Sequence, residues 1–393
     1  MPTTTIAQQA EEYGGFYVPR FEVRAQGAAL GESVIRDVTQ VTYKDDIKAI
    51  DSFTLTVGNW DSHSRRFKYI GSEDASSLSA ASPEAQRYKL FEPGARNFTL
   101  SMGYGSQMTQ MTVAGVTTME PTFPASGAST LSVRALNVLH LLRDKPNTKN
   151  WIGKRESDIA KDLKSFAGSS APKVRISPSA LAAELPIDYV AQDGQYDIDF
   201  LFGRARIAGY VVYVGTDTVG GKSTEYIYFG PSNDQHPGPR DVTYELKWGI
   251  SLVDFKPTLN TANQVKAVQI NGGNRQTNKT FVGEANASDA RINEDLIALL
   301  SRTEIITDEP HFTKEEADRR ARAVLSDRLK EMVTAQGTCI GLPFLRAGRR
   351  VMIKGVGSRF SGTYFVTETT HTIDDSGYST KFTARREQPV GGS

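Results

Sequence analysis

The chain repeats itself. Leu90-Phe91-Glu92-Pro93-Gly94 leads into an alternating stretch through Phe98, Leu100 and Met102, then Ala114-Gly115. Ser126-Gly127-Ala128-Ser129-Thr130 follows, with Val133-Arg134 behind it. Far down the chain come Phe344-Leu345-Arg346-Ala347-Gly348, Val351, Ile353, Ser361-Gly362, and then Ser376-Gly377-Tyr378-Ser379-Thr380 with Ala384-Arg385. Turn, strand, turn, strand, Ser-Gly hairpin and strand occur in the same order both times. An internal repeat constrains architecture more than any single motif. Here it predicts two β units that superpose, one ending at Ser126-Gly127 and one at Ser376-Gly377. The stretch from 134 to 257 is expected to lack a counterpart.

A length of 393 residues exceeds one typical core, so two or three domains are expected. Tyr, Thr, Val and Gly are plentiful, which favours β structure. A formal net charge of +1 gives no broad electrostatic reason to bind nucleic acid or an anionic membrane. Cys339 is the single cysteine, so no internal disulfide forms and no thiolate metal cluster is available. Met1 to Glu12 is polar and acidic, unlike a signal peptide, and no apolar run approaches the roughly 20 residues of a membrane span. The expectation is a protein made and kept in the cytoplasm unless something other than a signal peptide carries it out.

The pattern predicts a loose tail over 1–14, a first tube-like β-barrel over 15–133, and an α+β middle domain over 134–257. A second tube-like β-barrel over 258–387 and a loose tail over 388–393 complete the chain. The fold class expected is therefore mainly β (α+β): two antiparallel barrels related by duplication, with an α/β domain between them. In the first barrel, Phe53, Leu55 and Val57 alternate with threonines at the period of two of a half-buried strand. Gly71 to Glu84 reads as a long loop. In the middle, Leu136, Leu139, His140 and Arg143 suggest a short helix. Ser157-Asp158 caps another, carrying Ile159, Leu163 and Phe166 and closed by Gly168. A third runs from Asp197 to Ala208 with Gly209 at its stop. Tyr210 to Val214 and Tyr226 to Phe229 form a hairpin around Gly220-Gly221, and Gly230 to Arg240 reads as a surface loop. Thr313-x-x-Glu316 is a capping box for an amphipathic helix near 313–333.

Chemistry is sparse. Thr216 to Ser223 is one residue short of a phosphate-binding loop, and strand rather than helix follows its Ser, so a Gly-Gly hairpin is the better reading. His63, His140, His236, His311 and His371 lack a ligand partner at helical spacing, and His371 reads as an ordinary sheet residue. No Gly-x-Ser-x-Gly elbow is present. Cys339 sits in a β-prone run and reads as a buried inert thiol. The pairs Asp45-Asp46, Asp197/Asp199 and Asp374-Asp375 fall at turn or cap positions. The sequence thus predicts no catalytic residue, cofactor or metal. A duplicated β unit without an active site points to scaffolding: two barrels per chain in a closed trimer present six similar units around one axis.

Particular residues carry a resemblance at this point. They are Phe16-Tyr17-Val18-Pro19-Arg20-Phe21, Val41 to Asp46, Asp51 to Val57, Leu90 to Gly94, Tyr196 to Leu201, Arg346-Ala347-Gly348, and Phe360 to Tyr364 with Thr370-His371. Over residues 15 to 387 the chain resembles the phage late control D family, the central hub proteins of contractile tails and contractile injection systems. It is similar also to the hub half of type VI secretion VgrG proteins. The resemblance implies a homotrimer whose pseudo-sixfold ring adapts an inner tube protein to a spike. It contributes no catalytic residue, and it implies baseplate wedge or adaptor proteins as further partners. VgrG carries an oligonucleotide/oligosaccharide-binding barrel and β-helix beyond the hub. Neither follows Arg386 here, so the spike is expected to be a separate protein. Nucleic-acid binding and membrane insertion are not expected, and localisation is cytoplasmic at synthesis and then in a phage tail or injection particle. Candidate intersubunit or tube-facing residues are Lys44, Asp45, Asp46, Arg319 and Arg320. The alternative function is a peptidoglycan- or glycan-binding or -degrading tail protein, with Trp151 and the Tyr210 to Phe229 hairpin as stacking faces.

Overall fold

The computed structural model describes residues 3–12, 14–71, 78–79, 82–164, 172–219, 222–232, 243–274, 277–289, 300–309 and 311–387. Phe166, Gly168, Gly220-Gly221, His236 and the 388–393 tail lie outside them, as does most of the expected 71–84 and 230–240 loop sequence. The fold is mainly β, as the composition suggests.

The first strands are β1 (Thr3–Thr5), β2 (Pro19–Ala25), β3 (Ala28–Ala29), β4 (Val38–Asp46), β5 (Ser52–Gly58), β6 (Trp60–Asp61), β7 (Arg66–Phe67), β8 (Asn97–Tyr104), β9 (Gln107–Thr122) and β10 (Thr130–Asn137). Helices α1 (Ile6–Glu12), α2 (Glu32–Asp37) and α3 (Pro83–Tyr88) lie among them. A loose tail is not what the N-terminus makes: β1 pairs in parallel with a strand near Tyr244, satisfying that edge, and Ile6 packs on the core beneath. Strand order β4-β5-β10-β9-β8-β2-β3 curls round one apolar cluster that includes Val23, Tyr43, Phe53, Leu55, Phe98, Leu100 and Val133. The side chains between these positions, such as Thr42, Thr54 and Ser132, make a polar outer face.

The middle stretch holds β11 (Pro146–Lys154), β12 (Lys173–Ile176), β13 (Ile187–Tyr196), β14 (Tyr210–Val219) and β15 (Lys222–Pro231). Helices α4 (Glu156–Lys164), α5 (Pro178–Ala183) and α6 (Asp197–Ala208) lie among them. The helix suggested at 136–143 is shorter and tighter: β10 runs on to Asn137, whose side chain caps a 3₁₀ turn over Val138–Arg143. Gly209 ends α6 at φ 72°, where a Cβ would be strained. Trp151 stacks on Phe200, centroids 5.4 Å apart, inside this core.

The last strands are β16 (Thr243–Lys247), β17 (Leu252–Leu259), β18 (Ala267–Asn274), β19 (Lys279–Asn286), β20 (Thr303–Ile306), β21 (Val333–Ile340), β22 (Arg350–Lys354), β23 (Gly362–Asp374) and β24 (Gly377–Arg385), with α7 (Lys314–Lys330) before β21. β16 and most of β17 fall within 134–257, yet they join this set: β16 pairs β22 and β17 pairs β21. The Thr313 hydroxyl accepts from Glu316 N at 3.2 Å, as the capping box requires. α7 lays Ala317, Ala321 and Leu325 on β18 and β19.

The repeat is visible strand by strand. β17-β21-β24-β23 in the second set matches β4-β5-β10-β9 in the first. Both sets bulge at the same two places. Thr117 of β9 and Thr367 of β23 are each the extra residue, and each hydroxyl donates to the carbonyl across the bulge, Arg134 O (3.5 Å) and Thr383 O (3.1 Å). Thr39 and Val253 are the extra residues in β4 and β17. Gly94 N donates to Val116 O (3.1 Å) and Gly348 N to Val366 O (2.9 Å), each glycine at positive φ. Gly115 and Gly362 do not correspond, because the bulge alignment sets Gly115 against Phe365. The sets also differ where β18–β20 and α7 are inserted between β17 and β21, in place of the short turn between β4 and β5.

Candidate functional site

The two strand sets meet edge to edge along β23. On one edge β23 pairs β24 over 365–374; on the other it pairs β22 over 362–365. Past the Thr367 bulge that second edge pairs β4 instead, with Glu368 opposite Asp46, Thr370 opposite Lys44 and His371 opposite Tyr43. A bulge turns the strand, which is how one strand serves two neighbours.

A buried polar cluster fills this seam. The Arg346 guanidinium donates to Asp45 and to the Tyr43 hydroxyl, and lies 4.6 Å from the centre of the Tyr43 ring. The Asp45 carboxylate also accepts from Thr369 Oγ1 and from Ala347 N (3.2 Å). His371 is fully buried. Its Nε2 lies 2.9 Å from Leu345 O, which can only accept, so Nε2 carries the proton. Its Nδ1 meets Tyr378 Oη and Thr380 Oγ1, each at 3.0 Å. Burial pushes His371 down to about 4 against the pull of Asp45, so the ring is neutral at pH 7. Burial also opposes the charge on Arg346, but Tyr43 and Asp45 outweigh it and hold the guanidinium above its ordinary value. Burial, followed by the Asp45 charge, raises Asp51 well above the carboxylate range. Asp51 accepts from Asn137 Nδ2 (2.8 Å), tying the end of β10 to the β4–β5 turn.

The β14–β15 hairpin closes the third side. Ile47, Val211, Tyr213, Tyr226, Tyr228, Ala347 and Phe365 form one apolar cluster, drawing on both strand sets and the hairpin. Glu225 accepts from Val113 N (2.8 Å) and so pins the hairpin to β9; burial raises its pKa. Arg346 therefore sits where three parts of the chain converge.

Of the residues singled out from sequence, Lys44, Asp45 and Asp46 come together at the seam. Lys44 bridges to Glu368 at 2.6 Å on the exposed side, Asp45 is interior, and Asp46 accepts from Lys48 N at 2.8 Å. Arg319 and Arg320 lie elsewhere, on α7. Arg320 grips Glu309 with two 2.7 Å bonds and caps the end of α6 through Arg206 O and Ile207 O. Arg319 is close enough to Glu156 to favour its charged form, although burial outweighs this and raises Glu156. A cleft of about 570 Å³ lies between α6 and α7, with Arg206, Tyr210, Arg320 and Arg328 in its wall. Sequence reasoning did not place Arg346, Tyr43 or Glu225 among the candidate interface residues, although Arg346 stands in the repeat and both Arg346 and Tyr43 in the segments that carry the resemblance. The one signal was a charge, Arg346, inside an otherwise apolar turn.

Thr216 and Ser223 belong to the antiparallel β14–β15 ladder, so no helix follows the near-match to a phosphate loop. Trp151 and Tyr213, Tyr226, Tyr228 and Phe229 are buried and present no stacking face. Burial raises the Cys339 thiol far above its ordinary value. Among the described residues no three His, Cys, Asp or Glu side chains are grouped to hold a metal, and no helix is long and apolar enough to cross a membrane.

This arrangement is a phage tail protein fold. The chain is similar to the 43 kDa tail protein of prophage MuSo2 from Shewanella oneidensis, with TM-score 0.63 and 14% identity, covering 94% of this chain and 98% of that one. It is similar to a tail protein from Neisseria meningitidis MC58, with TM-score 0.64 and 13% identity over 94% and 97% of the two chains. An Escherichia coli type VI secretion component, described as similar to T4 bacteriophage tail proteins gp27 and gp5, matches with TM-score 0.55 and 10% identity over 94% and 79%. No curated protein matches. The chain belongs to the Alg8 N-terminal domain family, whose model matches residues 20–375.

Proposed function

We propose that the protein is a non-enzymatic structural hub of a contractile tail or injection-system baseplate, of the late control D kind. The observation that carries this reading is the β4–β23 seam. Two strand sets of like order are fixed side by side by an edge-to-edge ladder, and three such chains supply six similar units for a ring. The fold shared with tail and type VI secretion proteins supports the same reading. The two strand sets act as the tube-like units, and the stretch with α4–α6 stands beside them. One face of the homotrimeric ring takes the sixfold inner tube protein and the other a threefold spike, with baseplate wedge or adaptor proteins around it. The protein is made in the cytoplasm and ends in the assembled particle.

Native mass and particle imaging in the presence of tube and spike partners test this. A trimeric ring with pseudo-sixfold features is expected. A stable monomer, alone and with both partners, overturns it.

A further inference from the structure

The bulge alignment equates β9 beyond Thr117 with β23 beyond Thr367, and β17 with β4. Within the chain, β23 and β4 pair with each other at the seam. Among the described residues their counterparts have open edges: β8 covers β9 only over 107–115, and beyond Leu252, which bridges Trp248, β17 pairs β21 alone. Carrying the seam register across sets Glu120 opposite Thr258, Thr122 opposite Lys256, and Pro121 opposite Pro257. The charges fit. At the seam Lys44 reaches diagonally to Glu368; in the carried register Lys256 has the same diagonal relation to Glu120, and both are exposed.

The prolines occupy the positions of His371 and Tyr43. Ile47 N donates across the seam to Thr367 O (3.0 Å). N–H groups two residues apart face one edge, so Tyr43 and His371 present theirs to each other and exchange two backbone bonds. Pro121 and Pro257 thus turn their nitrogens to the open edges, where a strand tolerates proline, and their pair exchanges no such bond. The ionic lock is missing there too: Leu259 stands in the place of Asp45, and exposed Glu92 in that of Arg346.

We propose that the open edges of β9 (Thr118–Thr122) and β17 (Asp254–Leu259) join one copy of this chain to the next in the seam register. Pro121 and Pro257 keep that junction weaker than the seam, so that the ring closes on a partner and not in free solution. The proposal rests on the ring reading above.

Disulfide trapping is clean here, because the one native cysteine is buried. Glu120 and Thr258 are exposed, and the carried register makes them a pair without backbone bonds, where Cβ atoms are closest. Chains carrying Glu120→Cys and Thr258→Cys, oxidised with the tube and spike partners, should cross-link into covalent threes. Glu120→Cys with Lys256→Cys, out of register, should cross-link far less. Cross-linking into an open ladder supports the junction and overturns the ring. Native trimers without cross-links overturn the junction and leave the ring standing. In parallel, Pro121→Thr/Pro257→Thr should tighten self-association by roughly tenfold to a hundredfold per junction, two restored backbone bonds being the cause. Unchanged association of this variant, with an unchanged circular dichroism spectrum, overturns the role of the prolines. So does a wild-type chain that is already a stable trimer at nanomolar concentration.

Discussion

Replacing Arg346 by Met should open the seam without unfolding the rest. Asp45, with 4% of its side chain exposed, would then lose its counter-ion while keeping only the Thr369 and Ala347 donors. Leaving one partner of a buried pair uncompensated costs about 3–5 kcal/mol. The chain has several cores, so one global transition is the wrong readout. Amide hydrogen exchange at Tyr43 and His371 reports the local opening free energy. Exchange there should quicken by roughly two to three and a half powers of ten, at about 1.4 kcal/mol per tenfold. Asp45→Leu/Arg346→Met should recover most of the loss, because removing both charges leaves no buried ion; leucine already occupies the matching position 259. Exchange within fivefold of wild type in the single variant, or a double variant as fast as the single, would refute the argument.

His371, held near 4 when folded, binds its proton more readily unfolded. Stability is therefore lost as pH falls from about 6.5 to about 4, by about 3 kcal/mol in all. Asp51 and Glu225, whose folded pKa values are raised, run the other way and lose stability as pH rises, so the difference between wild type and His371→Asn isolates the histidine. A His371→Asn profile parallel to wild type over that window would contradict this. Gly283→Ala would drive a Cβ into the backbone of α7 at Ala317; amide hydrogen exchange in β19 and α7 should quicken by an amount equal to a loss of about 1–3 kcal/mol. Cys339 should react with a thiol reagent only after unfolding, and rapid labelling of the native chain would show that the β21 environment is open.

The repeat was legible because it rests on local chemistry. Gly94 and Gly348 turn the chain with positive φ, Phe91 and Leu345 plug the cores, and period-two strands follow each. The capping box at Thr313 and the stop at Gly209 were legible for the same reason. The seam was not. Its contacts join residues more than 300 positions apart, and nothing at Tyr43 or His371 distinguishes a strand's hydrogen-bonded edge from its open one. His371 does lie in a strand, as read, but its burial depends on Leu345 and Tyr378 arriving from elsewhere. The Ser-Gly and Ala-Gly pairs misled in detail, since glycines near a turn mark its presence rather than its register.

The order of synthesis gives the seam one more consequence. Asp45 meets Thr369 across 324 positions, so at 5–20 residues per second β4 waits roughly 16–65 s for its partner strand. Throughout that interval its edge is bare in a crowded cell, an open template for any passing strand. Lys44, Asp45 and Asp46 then act as a guard: charges that forbid casual pairing until the one strand arrives that brings the Arg346 turn just ahead of it. Asp45, which locks the finished seam through Arg346, is thus also one of the charges that protect that edge before its partner is made.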